Sequence, residues 1–318
     1  MTPRYVFLDQ NHWIYLAKAY WGKVHKPAHE QIPAKLISQV KHDSIRLPLS
    51  VLHLIEHLRN ERADRRQRLA EVFEYFSRSW FIAAWANVLS TEISRSLAQS
   101  FGCQHIPPPP EIFGRGFLFG FSTEALNQLP QDWMVADIEK IDWLATQPGM
   151  LINLLMFPNE INRLRQKKSI SVLNHQSALT AGELRTIRKP YAKDVHRRAQ
   201  LAGYTYQFQD QIRIALGLIG RTLDDFLALN LDELTQFWSG VPSLNVDCEL
   251  TLYRDRQWSR KVEANDFTDI GHLALAVPYC DIVVVERFWA RAIQETGLAN
   301  KYQVAVCTDL EELSELLN

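Results

Sequence analysis

Apolar and polar positions divide the chain into two α/β ends and a helical middle. Tyr5-Val6-Phe7-Leu8 is a short apolar run closed by Asp9-Gln10-Asn11, the pattern of a buried strand ending in a turn. A helix is expected from about His12 to Tyr20, with Asn11 as its N-cap. Ile45-Arg46-Leu47-Pro48-Leu49 reads as a second strand, which Pro48 confines to an edge or a strand end. Ser50 then caps a helix whose apolar positions Val51, Leu54, Ile55 and Leu58 recur at helical spacing.

The C-terminal end carries the clearest rhythm. Asp269 to Val277 reads as a helix stopped by Pro278, and Asp281-Ile282-Val283-Val284-Val285-Glu286 as a β-branched strand with an acid at each end. A helix from about Arg287 to Glu295 follows, stopped at Gly297. Gln303-Val304-Ala305-Val306-Cys307 is a further strand, and Asp309 caps a closing helix from Leu310 to Leu317. This alternation predicts a parallel sheet covered on both faces. Between about residues 60 and 260 the pattern is mostly helical. Two segments are looser: the stiff turn Pro107 to Pro110 leading into the Gly/aromatic loop Phe113-Gly114-Arg115-Gly116-Phe117, and Ser239 to Val246. No internal repeat is visible. The expected architecture is one α/β domain assembled from residues 1–60 and 260–318, interrupted by a mainly helical insertion over 61–259 that is a candidate substrate- or partner-binding region.

Composition narrows the class. The chain has 318 residues, 47% hydrophobic and 22% charged, which fits a folded protein rather than a disordered one. Lys+Arg (35) and Asp+Glu (36) nearly cancel, so any polyanion-binding surface must be a local patch. The four cysteines lie far apart without paired metal spacing, which argues against a disulfide framework or a zinc ribbon and suits a reducing, cytoplasmic setting. No apolar run reaches the roughly 20 residues of a membrane span. Met1-Thr2-Pro3-Arg4 leads into an apolar strand rather than reading as a signal peptide.

Sites of parallel sheets gather outside the carboxyl ends of the strands. Asp9 closes the first strand and Glu286 the valine strand, Asp266 and Asp269 open the helix before that strand, and Glu56 lies nearly two turns into the helix after the second strand. Carboxylates brought together from so far apart repel unless a cation sits among them. Hard oxygen ligands suit Mg²⁺ or Mn²⁺, which can activate water against a phosphodiester.

In these pieces the chain resembles the PIN-like nuclease domains. The resemblance is carried by Tyr5-Val6-Phe7-Leu8-Asp9, by Leu49-Ser50-Val51-Leu52-His53-Leu54-Ile55-Glu56, and by the run from Asn265-Asp266-Phe267-Thr268-Asp269 through Asp281-Ile282-Val283-Val284-Val285-Glu286-Arg287. It implies a metal-dependent hydrolase, an endonuclease cutting RNA in preference to DNA. It also implies that Asp9, Glu56, Asp269 and Glu286 are the catalytic, metal-binding acids, with Asp266 a rival or partner for Asp269. The family's last acid is usually Asp, and Glu286 offers a longer reach. That departure motivates a second reading, a non-catalytic PIN-like module that binds nucleic acid or protein. A protein partner or inhibitor is compatible with either.

Other signals compete or assist. His53-Leu54-Ile55-Glu56-His57 spells H-x-x-E-H, the inverted zinc-protease motif, with both histidines on one helix face. Basic residues cluster from Arg59 through Arg62 to Arg68, on a helix expected to continue from Glu56. Between Ile161 and Gln200 ten Lys or Arg, among them Arg163, Arg165, Lys167, Lys168, Arg188 and Lys189, face only Glu183 and Asp194. Such patches are the footprint expected for a phosphate backbone. Trp13, Tyr20, Trp21 and the loop from Phe113 to Phe121 are candidates to stack on unpaired bases, whereas Trp80, Trp85, Trp133, Trp143 and Trp238 read as packing. Cys280 and Cys307 fall in or beside buried strands and read as inert.

Overall fold

The computed structural model describes residues 2–23, 27–116, 118–121, 146–147, 149–156 and 175–317. The chain forms two compact units, one from 1–84, 112–174 and 279–318, the other from 85–111 and 175–278. The limits therefore differ from those expected: residues 61–84 join the α/β unit, and residues 260–278 join the helical one.

The first unit is built on a four-stranded parallel sheet, in the order β2-β1-β5-β6. The strands are β1 (Arg4–Leu8), β2 (Ile45–Arg46), β5 (Ile282–Val284) and β6 (Ala305–Cys307). The chain ends meet at its centre, where Val6 pairs with Ile282 and Leu8 with Val284. Val6, Leu8, Ile282 and Val284 enter one core with Trp13, Leu16, Leu36 and Phe73. Phe7 and Val283 alternate to the opposite face and are also fully buried, so both faces of the sheet are covered.

The helices around this sheet start where short polar side chains cap them. Asp9 caps α1 (Gln10–Tyr20), accepting from the His12 N–H, so the helix opens two residues earlier than an Asn11 cap would allow. Ser50 caps α3 (Val51–Arg59) in a capping box closed by His53. The helix α2 (Pro27–Lys41) precedes β2. The helix expected to run on from Glu56 instead breaks at Asn60, and α4 (Ala63–Ser77) begins after Arg62. The Arg66 guanidinium holds that break by donating to the carbonyls of Asn60 and Glu61.

β2 ends at Arg46, so Pro48 lies beyond it, and Leu49 makes a separate bridge with Phe81. Phe113-Gly114-Arg115, expected as loop, is a strand (β4) antiparallel to β3 (Trp80–Ile82), and the Phe113 ring stacks on Tyr5 at 3.7 Å. Gly114 is needed there because a Cβ would strike the Phe119 ring at 2.4 Å.

The second unit is helical among its described residues, with a core that includes Ile93, Leu97, Ile212, Phe226, Phe237 and Trp238. Its buried carboxylate Glu92 accepts from the backbone N–H and hydroxyl of Ser243. Ser239 to Val246 is not loose: one helix ends at Ser239 and the next begins at Pro242. The helix containing Asp269 runs from Asp266 to Tyr279, so Pro278 lies within its last turn and the helix ends one residue further on. Among the described residues no helix is long and apolar enough to cross a membrane. The cysteines are free, and burial pushes the Cys248 thiol up to about 12 and Cys307 up to about 11.

Candidate functional site

The carboxyl ends of β1, β5 and β6 form an acidic rim on the first unit. Asp9 follows β1, and its backbone N–H donates to the Val284 carbonyl at 3.0 Å, which fixes it beside the end of β5. Glu286, 277 residues away in sequence, donates its own N–H to Asp9 Oδ2 at 3.2 Å. Asn11 Nδ2 donates to Glu286 Oε1 at 2.5 Å. Asp309 follows β6 and caps the helix Leu310–Leu316, accepting from the Glu311 and Glu312 N–H groups at 2.9 Å.

A histidine completes this rim. His12 Nδ1 lies 2.5 Å from Asp9 Oδ1, and His12 Nε2 lies 3.0 Å from the Thr308 carbonyl at the end of β6. A carboxylate and a peptide carbonyl can only accept, so both contacts are satisfied together by the doubly protonated imidazolium. Burial works to lower the His12 pKa, but the hydrogen bond and charge of Asp9, the Thr308 carbonyl and the charge of Glu286 outweigh it and hold the group above its ordinary value. The crowded carboxylates thus have a cation of the protein's own. His12, Asn11 and Thr308 were not singled out for this role in the sequence. The signal was present as Asp-x-x-His, which places an N3 side chain back over its N-cap once Asp9 rather than Asn11 is the cap.

The other expected acids are carried by α3 of the first unit and by a helix of the second. Glu56 is half-buried on α3, one turn before Asn60. Asp266 and Asp269 belong to the second unit. Both Asp266 oxygens are taken by the Arg260 guanidinium, at 2.6 and 2.8 Å, and Oδ2 also accepts from the Glu263 N–H. Asp266 is thereby committed to a buried ion pair, and Asp269 lies half-buried in the same first helical turn. Among the described residues no group of three or more His, Cys, Asp and Glu stands in an arrangement that could hold a metal ion. The donor chemistry of Asp9 and Glu286 nevertheless fits Mg²⁺ or Mn²⁺, which bind through one or two carboxylates and keep several waters.

The H-x-x-E-H motif has a structural explanation. His53 Nε2 contacts the Leu8 carbonyl at 2.9 Å, so it carries the proton, and Nδ1 accepts from the Ser50 N–H at 3.0 Å. Neither ring nitrogen retains a lone pair for zinc. His57 is fully buried against Phe73 with no hydrogen bond to either nitrogen. Its pKa is depressed to about 4, by burial first and then by the charge of Arg66.

Of the basic residues, Arg163, Arg165, Lys167 and Lys168 lie outside the described residues, as do Trp133 and Trp143. Arg59 is half-buried at the end of α3, and Arg62 is exposed and paired with Asp64 at 2.8 Å. Arg188 is half-buried and Lys189 exposed at the end of the second unit's helix over 175–188. Trp13 is fully buried, edge-on to Phe73 at 5.1 Å, so it packs the core and is not a base platform. Tyr20 and Trp21 remain on the surface.

No family model matches the chain, no curated protein matches it, and no solved structure matches it.

Proposed function

We propose that the chain is a divalent-metal-dependent nuclease of the PIN-like kind, hydrolysing phosphodiester bonds in RNA in preference to DNA. The observation that carries this reading is the joining of Asp9 and Glu286, from opposite ends of the chain, across the carboxyl ends of the two central parallel strands. The parallel pairing of the central strands and the place of Asp9 directly after the first of them support that reading.

Asp9 and Glu286 are the residues that would hold Mg²⁺ or Mn²⁺, with Glu56 the further acid of the same unit that the resemblance implies. Such an ion supplies a water of lowered pKa and Lewis acidity at the scissile phosphate. The protein's own part is orientation. Asn11 holds Glu286, the Glu286 N–H holds Asp9, and His12 pairs with the Asp9 carboxylate in a partly buried rim. Asp9→Asn retains a helix-capping side chain but removes the charge, so fold and substrate binding survive. Purified protein is incubated with single- and double-stranded RNA and DNA in Mn²⁺, Mg²⁺ or EDTA, with Asp9→Asn alongside. Metal-dependent cutting of RNA should fall at least about 100-fold in the variant; undiminished cutting sinks the assignment.

A non-catalytic binding module is the second reading, and His12 favours it, because the imidazolium already neutralises the rim without a metal. Its signature is RNA or protein binding indifferent to EDTA, with no cutting by either protein.

A further inference from the structure

Beside the acidic rim, the first unit carries a groove of about 510 Å³ between the second half of α1 and the α3–α4 break. Five cationic side chains line it, Lys18, Lys23, Arg62, Arg65 and Arg68, against one carboxylate, Asp64. Asp64 is occupied by Arg62, through Nε at 3.0 Å and Nη2 at 2.8 Å, and Arg62 with Arg68 holds its pKa below the usual carboxylate range. Lys18, Lys23 and Arg65 are exposed, so the groove presents uncompensated positive charge in a chain of net charge −1.

The groove also contains an indole. Trp21 is 42% exposed, the largest aromatic surface of this face. Its edge is held in place: Nε1 lies 3.5 Å from the Arg68 carbonyl, and Tyr20 meets the ring at 89°. Just past the helix end stands Gly22, whose φ of +65° suits glycine. A fixed, exposed indole flanked by cations is the arrangement that stacks an unpaired base while the neighbouring phosphates are held by charge. A duplex keeps its bases stacked inside and offers the indole nothing.

Position ties the groove to the rim. Its lining begins at Ile14, three residues along α1 from the Asn11 that binds Glu286, and at Asn60, four residues along α3 from Glu56. Each step is about one helical turn, roughly 5–6 Å.

We infer that this groove binds single-stranded polynucleotide, with Trp21 stacking on a base and Lys18, Lys23, Arg65 and Arg68 holding the phosphates, and that it leads the strand along α1 to the acidic rim. The inference rests on the nuclease reading for its direction, but binding itself needs no catalysis. The test measures anisotropy of a fluorescent 12-nucleotide single strand and of a matching duplex, in EDTA, with the wild type, Trp21→Ala, Trp21→Phe and the double variant Arg65→Gln/Arg68→Gln. Trp21→Ala should weaken single-strand binding about ten-fold or more while leaving the duplex unchanged, and Trp21→Phe should restore most of it. The double variant should weaken binding and flatten its dependence on salt concentration. Circular dichroism confirms that each variant is folded.

Three results overturn the inference: no single-strand binding by the wild type, unchanged binding in both Trp21→Ala and the double variant, or equal losses for strand and duplex. Binding to vesicles rich in anionic phospholipid, lost in the same variants while oligonucleotides stay unbound, overturns it in favour of a membrane surface. Metal-dependent cutting by the wild type alongside any of these leaves the nuclease reading standing and removes only the groove.

Discussion

Asp9, a leading acid in the sequence, and Asp266, there a rival or partner for Asp269, each have an internal cation in the folded protein, but of different kinds. Asp266 is 1% exposed and gripped on both oxygens by Arg260, whose guanidinium never deprotonates. Asp9 keeps 17% of its side chain exposed and is paired with His12, a group that can lose its charge within the ordinary pH range. A permanent cation closes a carboxylate to other ligands, whereas a titratable one at the surface leaves it available. The difference separates an acid sealed into the interior from one left at the surface.

The contrast breaks most sharply on the Asp266 side. Arg260→Ala strands a buried carboxylate and should cost about 3–5 kcal/mol, read as a lower urea midpoint. Adding Asp266→Asn should recover part of that loss, because the stranded charge is gone. Asp9→Asn, at the wetter rim, should move the midpoint by about 1 kcal/mol or less. Equal losses for the two aspartates would erase the distinction.

A second pair sharpens it. His12 sits between two acceptors with its pKa raised, whereas His57 sits in the dry interior between α3 and α4 with its pKa pulled to about 4. Between that value and the usual 6.5, the unfolded chain binds the proton that native His57 refuses, so stability rises with pH across this window. The contribution is fully present above about 6.5 and is lost as pH falls toward 4, to a total of about 3 kcal/mol at about 1.4 kcal/mol per pH unit. Denaturation midpoints of His57→Leu should show a shallower slope between pH 4 and pH 6.5. At pH 8 the variant should be as stable as the wild type or up to about 2 kcal/mol more so, since it removes a buried N–H that has no partner. An unchanged slope means that another group carries the acid sensitivity.

The α/β character was legible because strands buried on both faces leave uninterrupted apolar runs, as at Tyr5 to Leu8 and Ile282 to Val285. Ser50 and Asp309 were legible as caps because capping acts over three residues of sequence. The rim was only half legible. Asp9 and Glu286 stood out as acids at strand ends, but the cation beside Asp9 depends on which residue caps α1, and on a backbone carbonyl, Thr308, that carries no sequence signal. The commitment of Asp266 to Arg260 was hidden for a related reason: a six-residue separation becomes a contact only through the turn that precedes the helix. The aromatics failed differently. Trp13 lies within α1 and Trp21 is its C-cap residue, and nothing in local composition tells which of the two is covered until α4 packs against the helix.

The mildest test of the comparison lies at Asn11. Its amide reaches Glu286 Oε1 across the rim, a contact near solvent, so its loss should cost about 1 kcal/mol of stability or less. Asn11 holds the Glu286 carboxylate, so on the nuclease reading its loss should be felt in metal dependence more than in stability. Asn11→Ala should leave the urea midpoint nearly unmoved but raise the Mn²⁺ concentration needed for half-maximal cutting of RNA. Asn11→Asp sets a third carboxylate beside two others and should depress cutting further at low metal and recover it at high metal, since a cation relieves the added repulsion. If both variants behave as wild type in metal titrations, Glu286 is oriented by something other than Asn11, and the longer acid loses its argued place in the site.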